Sequence, residues 1–203
     1  MPPSAAPPGP HPEPPSDLHQ HALPIRTVPA GTSLLRIYPL GYSPSYFDVS
    51  DRHRFNAPNG EFGTLYAGDD DHCAFAETLL RNLDLRVVSM TDLAGRGRSR
   101  VDLLGDLRLV DLTGSGLAQI RADGRLTTGD YQVAQRWSLA LHDHPDQPDG
   151  LMWRSRFDQG RTCYAMYDRA RSGVQLMPLG PLDDPAFTPK LVAILDEYRI
   201  GLV

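Results

Sequence analysis

Cysteine is scarce in this sequence, because Cys73 and Cys163 are the only two among 203 residues. Small secreted domains usually carry several disulfide bonds, so this pattern favours two buried thiols in a cytoplasmic protein. The sequence also lacks the apolar run of about 20 residues that a membrane helix needs. Its N-terminus has neither the basic nor the apolar segment of a secretory signal, and we therefore expect a soluble chain.

Positive charge is also in short supply, since the formal net charge is −5. Nucleic-acid binding depends on a basic face that contacts phosphates, so this balance argues against a nucleic-acid partner. The one basic cluster, formed by Arg96, Arg98 and Arg100 in GRGRSR, lies among glycine and serine. Such a cluster predicts a solvated loop.

Common catalytic and metal-binding motifs are absent as well. There is no GxxxxGKS or GxxxxGKT phosphate loop, no HExxH helix and no GxSxG turn. The pair His142 and His144, like the pair His72 and Cys73, has no second matching pair of ligands. We therefore predict that the chain holds no metal.

The length suits one folded domain with an N-terminal extension. Eight of the 19 prolines fall within the first 15 residues, a composition typical of extended and solvated chain. The sequence thus predicts a disordered, proline-rich tail over residues 1–30 and a single domain over residues 31–203.

The first part of that domain combines predicted strands with a helix. SLLRIY predicts a strand from which Arg36 projects, and GTLYAG predicts a strand that carries Tyr66. The polar stretch between them is long for a connection and suggests a functional loop. Apolar residues then recur at helical spacing from His72 to Asn82, with Glu77 at the border between the apolar face and solvent.

The second part continues the same mixture of elements. LRVVSM and LRLVDL predict strands, and TGDYQVAQRWSLALH predicts a helix. LMWRS and TCYAMY predict a hairpin in which Ser155 follows the first strand. A final helix is expected to use Thr188 as its N-cap and Pro189 as its first residue.

The order of five short segments is the most informative pattern in the sequence. They are LLRIY, RFNAPNG, LYAG, AFAETL and DGLMWRSR. In this order, over residues 33–170, they resemble the RES-domain family, which is named for its arginine, glutamate and serine. Its members are toxins of bacterial toxin–antitoxin pairs with a fold similar to that of ADP-ribosyltransferases. The resemblance implies an α+β domain with mixed or antiparallel sheets and flanking helices around an NAD cleft.

The resemblance also assigns site residues, position by position. The residues matched to the family pattern are Arg36, Arg54, Tyr66, Glu77 and Ser155. The loop here reads RFNAPNGEFG, where the family more often has tryptophan after the arginine and a shorter run before the tyrosine strand. A shift of two positions would make Arg52 the second arginine in place of Arg54.

The activity implied by the family is cleavage of NAD, as substrate, at the nicotinamide–ribose bond, by hydrolysis or phosphorolysis. Arg36 and Arg54 would bind the pyrophosphate, since guanidinium groups bind such oxygens bidentately. Glu77 would stabilise the positive charge that develops on the ribose. Tyr66 would pack on the nicotinamide or ribose, and Ser155 would hydrogen-bond the carboxamide.

The resemblance further implies a partner, an Xre-type helix-turn-helix antitoxin that blocks the cleft, in a complex that can contain more than one copy of the toxin. Two alternatives remain open at this level. One is a toxin that transfers ADP-ribose to a protein side chain. The other is a non-catalytic scaffold whose proline-rich tail presents a polyproline helix. An enzyme with a disordered tail should survive deletion of residues 1–30, whereas the scaffold should lose its partner.

Overall fold

The computed structural model describes residues 10–80, 84 and 86–203, and within them the chain forms ten strands and six α-helices. The strands are β1 (Ile25–Val28), β2 (Ser33–Pro39), β3 (Thr64–Gly68), β4 (Val87–Val88), β5 (Arg96–Leu103), β6 (Leu107–Asp111), β7 (Gly150–Arg154), β8 (Thr162–Tyr167), β9 (Val174–Pro181) and β10 (Gly201–Leu202). The helices are α1 (Asp71–Leu79), α2 (Met90–Ala94), α3 (Gly116–Gln119), α4 (Arg125–Thr128), α5 (Tyr131–His142) and α6 (Thr188–Tyr198). No helix of this described part is long and apolar enough to cross a membrane.

Eight of the strands form one mixed sheet in the order β1-β6-β7-β8-β3-β2-β5-β9. Neighbouring strands are antiparallel except β6 and β7, which are parallel, and β4 and β10 form a separate parallel pair. This architecture confirms the predicted α+β class. Every residue of β8 is buried, because apolar clusters cover both faces of the sheet at its centre.

Helix α1 begins directly after β3 and confirms the predicted helix over most of its length. The side chain of Asp70 accepts a hydrogen bond from the backbone N–H of Cys73 at 2.8 Å and caps the helix. A Cβ atom on Gly68 would lie 2.7 Å from the Cβ atom of Cys73, so only glycine lets the helix pack this closely on the end of β3. The predicted end of the helix, at Asn82, lies outside the described residues.

The other predicted elements form with small differences at their ends. The strand with Arg36, the strand with Tyr66, the long helix α5 and the hairpin of β7 and β8 are all present. Among the described residues of LRVVSM, only Val87–Val88 form a strand. Helix α6 includes Thr188 itself, so the predicted N-cap is one residue late. Asp184 instead caps the short 3-10 turn that leads into the helix.

The basic cluster GRGRSR does not form the predicted solvated loop, because it is the first half of β5. This strand pairs with β2 on one side and with β9 on the other, which satisfies its backbone groups. Its residues alternate between buried and half-buried positions, and Ser99 is fully buried. The guanidinium of Arg98 stacks 3.7 Å from the ring centroid of Phe187 and pairs with Asp71. Tertiary pairing thus overrides the loop-like composition.

The predicted disordered tail over residues 1–30 is also corrected, for residues 10–30. Leu18 and Leu23 are buried in the same apolar cluster as α5, and β1 pairs with β6 at the edge of the sheet. The indole N–H of Trp137 donates to the carbonyl of Pro12 at 2.8 Å. Prolines do not prevent this packing, because the segment lies against an existing core and does not build its own. Residues 1–9 lie outside the described residues.

Candidate active site

A pocket of about 320 Å³ opens where the sheet, α1, the long polar loop and the start of α5 meet. It brings together residues from β2, β3, α1 and the loop that are far apart in the sequence. The predicted residues that line it are Arg36, Arg54, Tyr66 and Glu77. Ser155 lies directly behind Glu77 and does not line the pocket.

Arg36 projects from β2 and is held by main-chain carbonyls. Its two terminal nitrogens donate to the carbonyl oxygens of Tyr66 at 2.9 Å and Tyr46 at 3.3 Å. Its Nε is buried and has no hydrogen-bond partner among the described residues. Burial lowers the pKa of Arg36 to about 10, with the charge of Asp48 opposing the shift, so the side chain stays cationic at neutral pH. Arg36 therefore presents a fixed positive charge with one unsatisfied donor.

Tyr66 lines the pocket, and its hydroxyl forms hydrogen bonds with the long polar loop. The hydroxyl donates to Asn56 Oδ1 at 2.9 Å and accepts from the backbone N–H of Phe55 at 2.9 Å. Burial raises the pKa of Tyr66 well above its usual value, so the hydroxyl stays protonated. Asn56 is fully buried and also donates to Asp48 and to the carbonyl of Ser50. This network fixes the long loop against β3.

Arg54, and not Arg52, is the loop arginine that reaches the pocket. Arg54 is only 8% exposed, donates to the carbonyl of Gly129 at 2.8 Å and stacks 4.5 Å from the ring centroid of Tyr131. Burial lowers the pKa of Arg54, and the nearby charge of Arg156 acts in the same direction. Arg52 is exposed and does not line the pocket.

Glu77 and Ser155 form a hydrogen-bonded pair at the pocket wall. The Ser155 hydroxyl donates to Glu77 Oε1 at 2.7 Å, and it accepts from the backbone N–H groups of Phe157 and Asp158 at 3.1 and 3.2 Å. Ser155 is 0% exposed. The sequence-based role for Ser155, a direct contact with the nicotinamide carboxamide, does not suit this buried position, since the serine is placed to orient Glu77.

Two further arginines line the pocket and were not assigned to the site from the sequence. Arg96 was placed in a predicted loop, and the strand pairing that brings it to the pocket is not visible in its composition. Arg156 lies next to Ser155 in the RSR segment, which was the available signal. Its guanidinium stacks 4.5 Å from the ring centroid of Phe157.

The four pocket arginines differ from many others in the chain. Arginines elsewhere form ion pairs with carboxylates, as Arg26 does with Asp111 at 2.7 Å and Arg136 with Glu13. Among the described residues, no such pair is formed by the pocket arginines, which are Arg36, Arg54, Arg96 and Arg156. Four arginines thus share one cavity with the two carboxylates of Asp48 and Glu77, and this excess of positive charge suits an anionic ligand.

Both cysteines also border the pocket, beside Glu77. Their Sγ atoms are 3.6 Å apart, and both residues are buried and reduced, as the sequence predicts. A hydrogen bond with Cys73 and burial raise the pKa of the Cys163 thiol. A raised pKa disfavours the thiolate, so Cys163 is not placed as a nucleophile.

Comparisons with known proteins agree with the geometry. The sequence model of the RES domain matches residues 38–187. A protein described as probable toxin y4kH of Sinorhizobium fredii is 27% identical over 117 residues, which are 57% of this chain and 90% of that protein. The fold is similar to a chain in the crystal structure of the M. tuberculosis MbcT–MbcA toxin–antitoxin complex, with a TM-score of 0.61, 18% identity and coverage of 82% of this chain and 92% of that chain.

Proposed function

Because this chain belongs to the RES domain family, we propose that it is the toxin of a toxin–antitoxin pair and that it cleaves NAD at the nicotinamide–ribose bond. The observation that carries the proposal is the pocket itself. It contains four arginines that form no ion pair among the described residues, and it also contains a glutamate that a buried serine holds at the wall.

The arginines suit the pyrophosphate of a dinucleotide. Phosphate oxygens accept charge-assisted hydrogen bonds from guanidinium groups, and these are about twice as strong as bonds between neutral groups. The buried Nε of Arg36 has no partner among the described residues, and a buried donor without a partner costs stability. A ligand oxygen at this point would satisfy it. Arg54 and Arg156 add two further cationic groups at the same pocket.

Glu77 suits the stabilisation of the reacting ribose. Breaking the bond to nicotinamide develops positive charge on the sugar, and a carboxylate beside that charge stabilises the transition state. The hydrogen bond from Ser155 fixes Oε1 of Glu77, so the carboxylate needs little reorganisation during the reaction. Ser155 therefore acts on the ribose through Glu77. The ring of Tyr66 offers an apolar face for the nicotinamide or the sugar.

The proposed partner is an antitoxin of the Xre helix-turn-helix type that covers the pocket. The similar solved chain comes from a toxin–antitoxin complex, which supports an antitoxin as the partner. An acidic side chain or a terminal carboxylate of the antitoxin would pair with the pocket arginines in place of the pyrophosphate. Antitoxin and NAD should then compete for binding.

The test is to incubate the purified protein with NAD, with and without inorganic phosphate, and to identify the products by mass. We expect release of nicotinamide, and a loss of about 100-fold or more in kcat for Glu77→Gln with little change in KM. Glu61→Gln is the matched control, because Glu61 is exposed, accepts hydrogen bonds from Asn59 and does not line the pocket.

The products also decide between reaction types. Free ADP-ribose indicates transfer to water, its phosphorylated form indicates transfer to phosphate, and ADP-ribose on a protein indicates a protein ADP-ribosyltransferase. An inactive wild-type protein under both conditions, together with normal growth and unchanged NAD in cells that express it alone, would overturn the proposal.

A further inference from the structure

Arg161 lies at the centre of a network of three carboxylates behind the pocket. Its Nε donates to Asp158 at 2.7 Å, one terminal nitrogen pairs with Asp70, and the other pairs with Glu197 at 2.8 Å. The three partners come from three separate parts of the chain. The planar guanidinium has donors pointing in all three directions, which the single ammonium of lysine does not offer in a fixed geometry.

Two of the three carboxylates belong to the segments that carry the Glu77–Ser155 pair. Asp70 caps α1 through the backbone N–H of Cys73, and Glu77 lies one turn further along that helix. Asp158 lies in the turn that follows Ser155 and donates its own N–H to the serine hydroxyl at 3.2 Å. Arg161 therefore connects the helix of the glutamate to the turn of the serine.

The main chain of Arg161 strengthens this connection. Its carbonyl accepts from the backbone N–H of Ser155 at 3.0 Å, and its N–H donates to the carbonyl of Asp158 at 3.0 Å. The turn from 155 to 161 is thus closed by the backbone of the residue whose side chain reaches α1. The side chain and the backbone of Arg161 therefore both hold the turn that contains Ser155.

The third carboxylate brings in the C-terminal helix α6. Glu197 pairs with Arg161, and the next residue, Tyr198, donates its hydroxyl to Asp158 Oδ2 at 2.9 Å. Glu197 also pairs with the buried His72 of α1, at 3.0 Å from its Nε2. Helix α6 begins at Thr188, beyond the residues 38–187 that the family model matches.

We propose that Arg161 is a positioning residue for the Glu77–Ser155 pair and that α6 completes the active site through Glu197. The catalytic consequence rests on the proposed NAD cleavage, while the positioning itself is a statement about this fold. A purely stabilising role explains the network less well, because ion pairs with partly exposed carboxylates contribute little to stability. Their fixed geometry, in contrast, matters to a carboxylate that has to face a reacting atom.

The test compares Arg161→Lys and Glu197→Gln with Arg100→Lys. Arg100 is a suitable control because it pairs with Asp102 on the same strand, β5, and does not line the pocket. For the first two variants we expect kcat with NAD to fall by about tenfold to 100-fold while KM stays within about twofold. Hydrogen exchange at the amides of Phe157 and Asp158 should accelerate in the same two variants and not in Arg100→Lys.

The exchange measurement separates this inference from the proposed function. If the wild-type protein does not cleave NAD, faster exchange at these two amides still supports the positioning role, and unchanged exchange overturns it. With an active wild type, Arg161→Lys with a kcat within about twofold of the wild-type value would also overturn it. A rise in KM alone, with kcat unchanged, would place Arg161 in binding and would equally contradict the positioning role.

Discussion

At the scale of single residues, the buried cations of the pocket carry a free-energy cost that nearby carboxylates offset only in part. Arg36 and Arg54 donate to main-chain carbonyls, which solvate the charge without neutralising it. Burial lowers the pKa of both side chains for this reason. A bound anion removes part of that cost, so these residues favour the liganded state of the pocket.

Arg54 and Arg52 provide a matched pair for testing whether a buried pocket arginine contributes to the binding of NAD. We expect Arg54→Ala to raise the KM for NAD by about tenfold or more, because it removes a charge-assisted contact at the pocket. Arg52→Ala should leave the KM within about twofold, because Arg52 is exposed and away from the pocket. Steady-state kinetics gives the KM of each variant, and thermal unfolding checks that each variant is folded. Equal effects of the two substitutions would show that Arg54 has no specific role in binding.

The sequence resemblance supplied the residues proposed for the site, but it did not supply their hydrogen-bond partners. Glu77 was expected at the border of the apolar face, and it lies there. The hydroxyl of Tyr66, in contrast, bonds to Asn56, and Ser155 bonds to Glu77 from 78 positions away. Such contacts depend on how the loop and the hairpin return to the sheet, and periodicity along one element contains no information about that return.

At the scale of elements, β5 also shows that a local sequence pattern does not reveal pairing with distant parts of the chain. Alternating arginine with glycine and serine predicts a loop, yet the segment lies between two strands that share its hydrogen bonds. Gly97 makes this possible, because a Cβ atom there would lie 2.8 Å from the ring of Tyr38. The glycine that suggested a loop is thus a packing requirement of the sheet. Arg96 reaches the pocket only as a result of that pairing.

The turn between β7 and β8 gives a prediction about acid stability. Burial raises the pKa of Asp158, but hydrogen bonds from Tyr198, Arg161 and the backbone of Gly160 outweigh it and leave the pKa below the usual value of about 3.9. A folded-state pKa below the unfolded one adds stability that is fully present above the unfolded pKa and is lost as the pH falls through the folded one. The contribution of Asp158 should therefore begin to fall below about pH 4 and disappear once the pH is below the folded-state pKa.

Tyr198→Phe tests this contribution, with Tyr42→Phe as the control at an exposed tyrosine. Urea unfolding at neutral pH should show a loss of about 1 kcal/mol for Tyr198→Phe, and the difference from the wild type should shrink below about pH 4. A difference that stays constant as the pH falls well below about 4 would mean that the hydroxyl does not act through ionised Asp158.

At the scale of the whole molecule, the N-terminal segment is part of the fold. Residues 10–28 cover α5 with Leu18 and Leu23 and add β1 to the edge of the sheet. Composition alone predicted a tail there, because proline content reports on local conformation and not on contact with a distant core. The expectation that the protein tolerates deletion of residues 1–30 therefore reverses.

Deletion of residues 1–30 should lower the free energy of unfolding by more than about 3 kcal/mol, since burial of each leucine contributes roughly 1.5–3 kcal/mol. Deletion of residues 1–9 is the control, because it leaves Pro12, Leu18 and Leu23 in place. Thermal and denaturant unfolding of both truncated proteins checks the expectation. Equal stability of the two would mean that the contacts of residues 10–28 add nothing to the native state.

The pairing of β1 with β6 also affects the order in which the sheet can form while the chain is being synthesised. Ile25 leaves the ribosome long before Val110, its partner in the sheet, so β1 has to wait unpaired for β6. The pocket residues are also made at different times, because Arg36 and Glu77 precede Ser155, and Glu197 lies six positions before Val203, the last residue of this sequence.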